Sequence, residues 1–151
     1  MLRLTKKLLF AIEAVLDIAY NAGNSPVQSG DITGRQGIPR RYLEQVLQQL
    51  VRAGVLDGVR GPRGGYRLAR ERRRITVGEI VRVVRTLESG DDPLEGEAGS
   101  ELGRAVVRPL WGELQEELMR RLDTVTIEEL CTRAHQAGIA GEYAARLDFS
   151  I

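Results

Sequence analysis

The stretch Arg60-Gly61-Pro62-Arg63-Gly64-Gly65-Tyr66-Arg67-Leu68 decides the fold, because it combines turn residues with cationic side chains. Gly61-Pro62 and Gly64-Gly65 are dipeptides that favour tight turns. Residues typical of strands lie on both sides: Val55, Leu56 and Val59 before, and Tyr66 and Leu68 after. The segment therefore predicts a β-hairpin with Arg60 and Arg63 at its tip. The alternative is a plain turn whose arginines only keep it soluble.

The residues before this hairpin predict an amphipathic helix. Leu43, Val46, Leu47 and Leu50 recur at helical spacing, and Gly54 follows as a stop. Pro39 is expected in the first turn, where its missing N–H has no intrahelical partner. The outer face carries Arg and Gln, whose donors match guanine and adenine edges in a DNA major groove. An ordinary solvated face is the alternative.

A shorter helix is predicted upstream, from a capping residue at Ser29 to a stop at Gly37. Two helices joined through a glycine form a helix-turn-helix, in which the second helix enters the major groove. Because the hairpin follows directly, the order predicts a winged helix-turn-helix. The predicted DNA-binding residues are Lys6, Arg40, Arg41, Tyr42, Glu44, Gln45, Gln48, Arg60, Gly61, Pro62, Arg63 and Gly64.

The charge distribution divides the chain. The whole sequence has 22 Lys+Arg and 21 Asp+Glu, but residues 1–88 hold 16 against 8 and residues 89–151 hold 6 against 13. Phosphate neutralisation supplies most sequence-independent DNA affinity, so the basic half suits double-stranded DNA. We expect a winged helix-turn-helix domain at 1–88, a flexible acidic linker at 89–101, and a dimerisation helix with a C-terminal helix at 102–151.

A long helix is predicted after the linker. Its apolar residues recur about every fourth position, and Pro109 predicts a kink or break near 107–109. So broad a stripe favours burial in a homodimer, with the opening helix as the matching surface; packing within one chain is the alternative. The expected fold class is mainly α with a small β-wing. The stripe consists of Leu102, Val106, Leu110, Leu114, Leu118 and Leu122.

At these positions the chain resembles the Rrf2 family of bacterial transcription regulators. The resemblance rests on Tyr42-Leu43-Glu44-Gln45, Ala53-Gly54-Val55-Leu56, Val59-Arg60-Gly61-Pro62 and Gly64-Gly65-Tyr66, and it continues through Leu110-Trp111. It implies a homodimeric winged-helix protein that acts mostly as a repressor. It also implies that Glu44 and its neighbours lie at the bases and that the segment from Arg60 to Gly65 lies in the minor groove.

Many members of that family hold a [2Fe–2S] cluster on three cysteines after the winged domain. This chain has one cysteine, Cys131, in the last predicted helix. The last Cys and His ligands of some relatives correspond here to Ala105 and Arg108. Because a cluster needs about four protein ligands, we expect no cofactor.

The other chemistry-bearing residues predict no catalytic or metal site. Cys131 is expected to be a small buried apolar group, with a redox thiol that forms an intersubunit disulfide as the alternative. The linker acids Asp91, Asp92, Glu95 and Glu97 are expected to be solvated rather than to hold a cation. Thr76 and Thr126 each begin a capping box with a glutamate three residues on.

The sequence as a whole predicts a DNA-binding transcription regulator without membrane attachment. One cysteine and no export segment fit the cytoplasm. We expect a homodimer on a palindromic operator, controlled by a regulatory protein or a small-molecule effector. The alternative function is a winged-helix protein-interaction module governed by a partner enzyme.

Overall fold

The computed structural model describes residues 5–88 and 99–149, which form seven α-helices and one two-stranded sheet. The elements in chain order are α1 (Lys6–Asn21), α2 (Ser29–Gln36), α3 (Arg40–Arg52), β1 (Leu56–Val59), β2 (Gly65–Leu68), a 3₁₀ turn (Arg72–Arg74), α4 (Val77–Leu87), a π-helical segment (Gly103–Val107), α5 (Arg108–Leu122), α6 (Ile127–Gln136) and α7 (Glu142–Phe149). The predicted class, mainly α with a small β-wing, is confirmed. No helix in the described ranges is long and apolar enough to cross a membrane.

Helices α2 and α3 form the predicted helix-turn-helix, with two differences at their ends. Gly37 ends α2 in the left-handed conformation at φ 66°, and its N–H donates to the Thr33 carbonyl at 2.9 Å. Ser29 does not cap α2: it is the first helical residue, and Gln28 precedes it without a side-chain cap. Pro39 lies one position outside the predicted first turn, and its carbonyl accepts the first hydrogen bond of α3, from Leu43 N at 3.0 Å.

The wing is an antiparallel hairpin in which Leu56 pairs with Leu68 and Val59 with Gly65. A third segment adds to it, because Val27 and Tyr66 exchange two backbone hydrogen bonds of 2.8 Å. Gly65 lies against this segment: a Cβ there would be 2.4 Å from the Val27 carbonyl oxygen. The approach requires glycine, and it ties the wing to the chain just before α2.

Helices α4 and α6 begin side by side. Val77 N donates to Val125 O at 2.8 Å and Ile127 N donates to Ile75 O at 2.9 Å, so the residues before both helices pair in antiparallel fashion. The caps at Thr76 and Thr126 are confirmed, since their hydroxyls accept from the N–H three residues on, at 3.2 and 3.1 Å. The capping glutamates have other partners: Glu79 accepts from Arg70, and Glu129 accepts from Arg133.

The disturbance predicted near Pro109 takes the form of a wide turn. Residues 103–107 are π-helical, and the Arg108 N–H donates to the Gly103 carbonyl, five residues back. Pro109 has no N–H to continue the ordinary ladder, so the wider turn absorbs the missing hydrogen bond. The chain then continues as α5 instead of breaking.

One apolar core joins the two ends of the described chain. Ile127, Cys131 and Ala144 from the C-terminal helices are buried together with α1 and with the inner faces of α3 and α4. Helices α6 and α7 therefore pack on the winged domain, whereas the apolar stripe of α5 stays largely exposed.

Candidate nucleic-acid interface

Helix α3 presents the predicted polar face to solvent. Its inner residues Leu43, Val46, Leu47 and Leu50 are 0% exposed. Arg41, Gln45 and Gln48 are exposed and lie four and three residues apart, so they share one side of the helix. Their donors project from a helix whose back is fixed in the core, which is the arrangement that base reading requires.

Arg40 and Glu44 occupy the neighbouring line of the same helix. Arg40 Nε donates to Glu44 Oε1 at 3.1 Å, and the two side chains are 78% and 51% exposed. An ion pair this exposed contributes less than about 1 kcal/mol. A phosphate or a base edge can therefore replace either partner at little energetic cost.

Tyr42 positions α3 on α1. Its hydroxyl donates to the Lys7 carbonyl at 2.5 Å, and its ring centroid is 6.2 Å from that of Phe10. Burial, with a smaller contribution from the charge of Glu88, raises the pKa of Tyr42 to about 12. The hydroxyl predicted to contact DNA thus donates its proton within the protein. The same contact brings the exposed Lys6 and Lys7 beside the start of α3.

The wing tip exposes Arg60, Gly61, Pro62 and Arg63, all four of which were predicted to contact DNA. Gly64, the fifth predicted tip residue, is buried and shapes the turn: its N–H donates to the Gly61 carbonyl at 2.9 Å. A Cβ on Gly64 would be 2.1 Å from the Val59 carbonyl oxygen. Gln28 Nε2 also reaches the Pro62 carbonyl at 3.5 Å, which connects the tip to the start of α2.

A buried carboxylate fixes α2, and the sequence did not reveal it. Asp17 on α1 has a side chain that is 0% exposed, and it accepts from Arg35 Nε at 2.9 Å, Arg35 Nη2 at 2.8 Å and Gln36 Nε2 at 2.8 Å. The hydrogen bonds from Arg35 to this carboxylate raise the pKa of the guanidinium above its ordinary value. The available signal was a charged residue between Leu16 and Ile18 on the apolar stripe of the opening helix.

Other arginines of the basic half are bound within the protein. Arg70 donates to the Glu79 carboxylate and, at 3.0 Å, to the Arg74 carbonyl. Arg82 makes two hydrogen bonds of 2.7 Å to Asp123, which hold the end of α5 on α4. Arg70 and Arg82 are therefore less available to DNA phosphates than the exposed cations of α3, the wing tip and the start of α1.

An exposed Arg/Gln helix beside a basic hairpin defines a winged helix-turn-helix DNA-binding protein. The model of one family, Rrf2, described as an iron-dependent transcriptional regulator, matches residues 4–133. The chain belongs to the Rrf2 family: it is a transcriptional regulator that binds double-stranded DNA, and it is not an enzyme.

Relatives of known name and structure agree with this assignment. The transcriptional regulator IscR of Klebsiella pneumoniae (strain 342) is 37% identical over 142 residues, which are 93% of this chain and 86% of that protein. The structure of T. potens IscR has a TM-score of 0.72 and 32% identity and covers 95% of this chain and 96% of its own. CymR, the global cysteine regulator of B. subtilis, has a TM-score of 0.69 and 30% identity over 88% of this chain and 98% of its own.

The family description includes iron, but the donors of this chain do not fit an iron–sulfur cluster. Its one cysteine, Cys131, is 0% exposed on α6, while Ala105 lies in the π-helical segment and Arg108 at the start of α5. In the ranges 5–88 and 99–149, no three His, Cys, Asp or Glu side chains are grouped to hold a metal. The linker acids at 91–97 lie outside the described residues.

The structure favours the apolar role for Cys131 over the redox role. Burial raises the pKa of its thiol to about 11, and the nearby Arg72 opposes only part of that effect. The reactive form of cysteine is the thiolate, so this thiol is both inaccessible and poorly ionised at neutral pH. An intersubunit disulfide through Cys131 would require α6 to leave the core.

Proposed function

We propose that this protein is a homodimeric, cluster-free repressor that inserts α3 into the major groove and the wing tip into the adjacent minor groove of a palindromic operator. One observation carries the proposal: the exposed side of α3 and the exposed wing tip are both mounted on the same buried core. A regulator of this kind acts where the chromosome lies, so we place it in the cytoplasm.

The residues of this surface divide into two roles. Gln45 and Gln48 have the donor–acceptor pairs that recognise adenine, and a good bidentate contact contributes about 1–3 kcal/mol of discrimination. Lys6, Arg60 and Arg63 are exposed cations without that geometry, and they suit phosphates or the narrow minor groove. Base reading is therefore assigned to α3, and most of the sequence-independent affinity to its surroundings.

The dimer is proposed from the exposed stripe of α5. Leu102 is 74% exposed and Leu118 is 45% exposed, and Val106, Leu110, Trp111 and Leu114 lie between these values. A contiguous apolar face of this kind marks a protein interface. The opening helix buries most of its predicted partner surface within its own chain, and Leu9, at 41%, is its one exposed large apolar residue in the described part. We therefore pair α5 with α5 of a second copy.

Two substitutions separate the proposed DNA contacts. Arg60→Ala should weaken binding to every sequence and reduce the slope of log affinity against log salt by about 0.9. Gln45→Ala should change the order of preference among operator variants and leave the salt slope unaltered. Fluorescence anisotropy with fragments selected from the native genome measures both quantities. Arg133→Ala, which removes an exposed cation from α6, is the matched control. Equal behaviour of all three variants would refute the assignment.

The dimer has a separate test. Leu114→Glu places a charge in the middle of the α5 stripe and should convert the dimer to a monomer in analytical ultracentrifugation. Because the two half-sites are read together, this variant should also lose cooperative binding to the palindrome. If the wild type sediments as a monomer at concentrations that bind DNA, the proposed dimer is wrong.

A further inference from the structure

An open cleft of about 430 Å³ lies at the root of the wing, between the end of α1, strand β2 and helices α6 and α7. Its volume is within the range of about 300–1,000 Å³ that is typical of small-molecule sites. None of the residues predicted to contact DNA lines it. The cleft is therefore separate from the reading surface, although β2 belongs to both.

The lining of the cleft is cationic over an apolar floor. Five of its 11 lining residues are arginines and two are glutamates, which gives a formal charge of +3. Ala19, Ala22 and Leu68 supply the apolar part. A surface of this kind suits a small molecule with an anionic group and a short carbon skeleton.

Two of the arginines already have close partners. Arg70 donates to Glu79, which lies outside the cleft, and Arg73 Nε donates to Glu71 at 2.5 Å. Arg72 differs from both. Its Nε is 3.4 Å from the Glu128 carboxylate, its Nη1 is buried, and the guanidinium lies beside the Cys131 thiol. The Arg72 side chain is 26% exposed and lines the cleft.

The Arg72 guanidinium is also held in place. Its central carbon lies 4.8 Å from the centroid of the Tyr143 ring, which fixes the guanidinium over an aromatic face. Arg67, exposed on β2, brings a second cation to the same cleft.

We propose that this cleft binds a small organic anion whose carboxylate or phosphate accepts hydrogen bonds from Arg72 and Arg67. Both groups match the planar donor geometry of guanidinium. The carbon skeleton of the ligand lies on Ala19, Ala22 and Leu68. Binding at this site is independent of DNA, whereas its role as an effector site rests on the function proposed above.

The position of the cleft gives the ligand a route to the reading surface. A molecule held by Arg67 on β2 and by Arg72 beside α6 connects the wing to the C-terminal helices. Because β2 carries the wing tip, the bound anion acts as an effector of DNA binding.

The site is tested with the full-length protein and two simple probes, succinate and inorganic phosphate, at constant ionic strength. Titration followed by amide NMR should show saturable binding of one probe with a Kd of about 1 mM or tighter, with shifts at Gly23, Arg67 and Leu68. The two probes distinguish a carboxylate site from a phosphate site. Arg72→Gln and Arg67→Gln should each weaken binding about tenfold, equivalent to about 1.4 kcal/mol. Arg133→Gln on α6 should bind like the wild type.

Equal binding by the wild type and both cleft variants would overturn the site, as would the absence of saturation with either probe. If Arg72→Gln fails to fold, Arg67→Gln on the exposed strand decides the matter. Variants that bind the probes normally but show lower affinity for all DNA would identify these arginines as phosphate contacts and refute the cleft. A bound probe that leaves DNA affinity unchanged would refute the effector role alone. Failure of the wild type to bind any genomic fragment would refute the proposed function and not the anion site.

Discussion

Replacing Arg35 with methionine should destabilise the protein by about 2 kcal/mol, because it leaves a buried carboxylate almost alone. The substitution removes the hydrogen bonds of 2.9 and 2.8 Å to Asp17 and leaves one, from Gln36. Removing one partner of a fully buried ion pair costs about 3–5 kcal/mol. The Arg35 side chain is 40% exposed, so solvent already screens part of the interaction and the expected loss falls below that range, at about 2 kcal/mol.

A second substitution identifies the cause. Asp17→Asn combined with Arg35→Met removes the buried charge, and the double variant should be about 1 kcal/mol more stable than Arg35→Met alone. Urea unfolding followed by circular dichroism gives each free energy, with equal m-values as the check that the unfolded state is unchanged. If the double variant is no more stable than Arg35→Met, the loss of stability comes from lost packing of the arginine stem and not from the buried carboxylate.

Four further predictions concern Gly64, Cys131 and Tyr42. Gly64→Ala places a Cβ 2.1 Å from the Val59 carbonyl oxygen, so it should reshape the wing tip and reduce DNA affinity about tenfold in anisotropy titrations. Gly58→Ala is the control, because a Cβ there has nothing within 4 Å. If the clash is the cause, the Gly58→Ala variant should bind DNA normally. The pKa of Cys131 is raised to about 11, so iodoacetamide at pH 8 should alkylate this thiol roughly a hundredfold more slowly in the folded protein than in urea. Equal alkylation rates in the folded and the unfolded protein would contradict the burial of Cys131. Since this folded-state pKa exceeds that of a free thiol, the thiol contributes stability that declines as pH rises from about 9 to 11, and Cys131→Ala should flatten that part of the pH–stability curve. Tyr42→Phe removes only the hydrogen bond to the Lys7 carbonyl of α1 and should lower the free energy of unfolding in urea by about 1 kcal/mol. An unchanged free energy of unfolding would show that this 2.5 Å contact contributes nothing to stability.

Local patterns in the sequence were sufficient to predict the helix-turn-helix, the wing and the disturbance at Pro109. Each depends on periodicity or turn chemistry within a few residues, as in the apolar series from Leu43 to Leu50 or the glycines around Arg63. The Ser29 cap was wrong because the chain before α2 is held by the wing: Val27 pairs with Tyr66, 39 residues away, and the helix begins one position earlier than its local signal. A local pattern contains no information about that pairing.

The candidate site shows the same division. Exposure of Arg41, Gln45 and the tip arginines could be predicted, because amphipathic spacing decides which side of a helix faces out. The internal roles of Tyr42, Asp17 and Gly64 depend on contacts with other elements, and the sequence shows only their residue types. Charge counting had the same weakness, since it weighted Arg70 and Arg60 equally although only Arg70 is paired with a carboxylate of its own chain.

The paired starts of α4 and α6 have a consequence for how this regulator can change over evolution. Hydrogen bonds at Val77 and Ile127 close the chain between them into a loop with a fixed base, further secured by Arg82 on Asp123. Lengthening a loop whose ends are already held together costs little, about 0.6 kcal/mol for each doubling of its length. Residues 89–98 belong to this loop, so insertions or replacements there do not displace the core that supports α3 and the wing. The length and composition of this segment can thus change while the DNA-reading half keeps the same geometry.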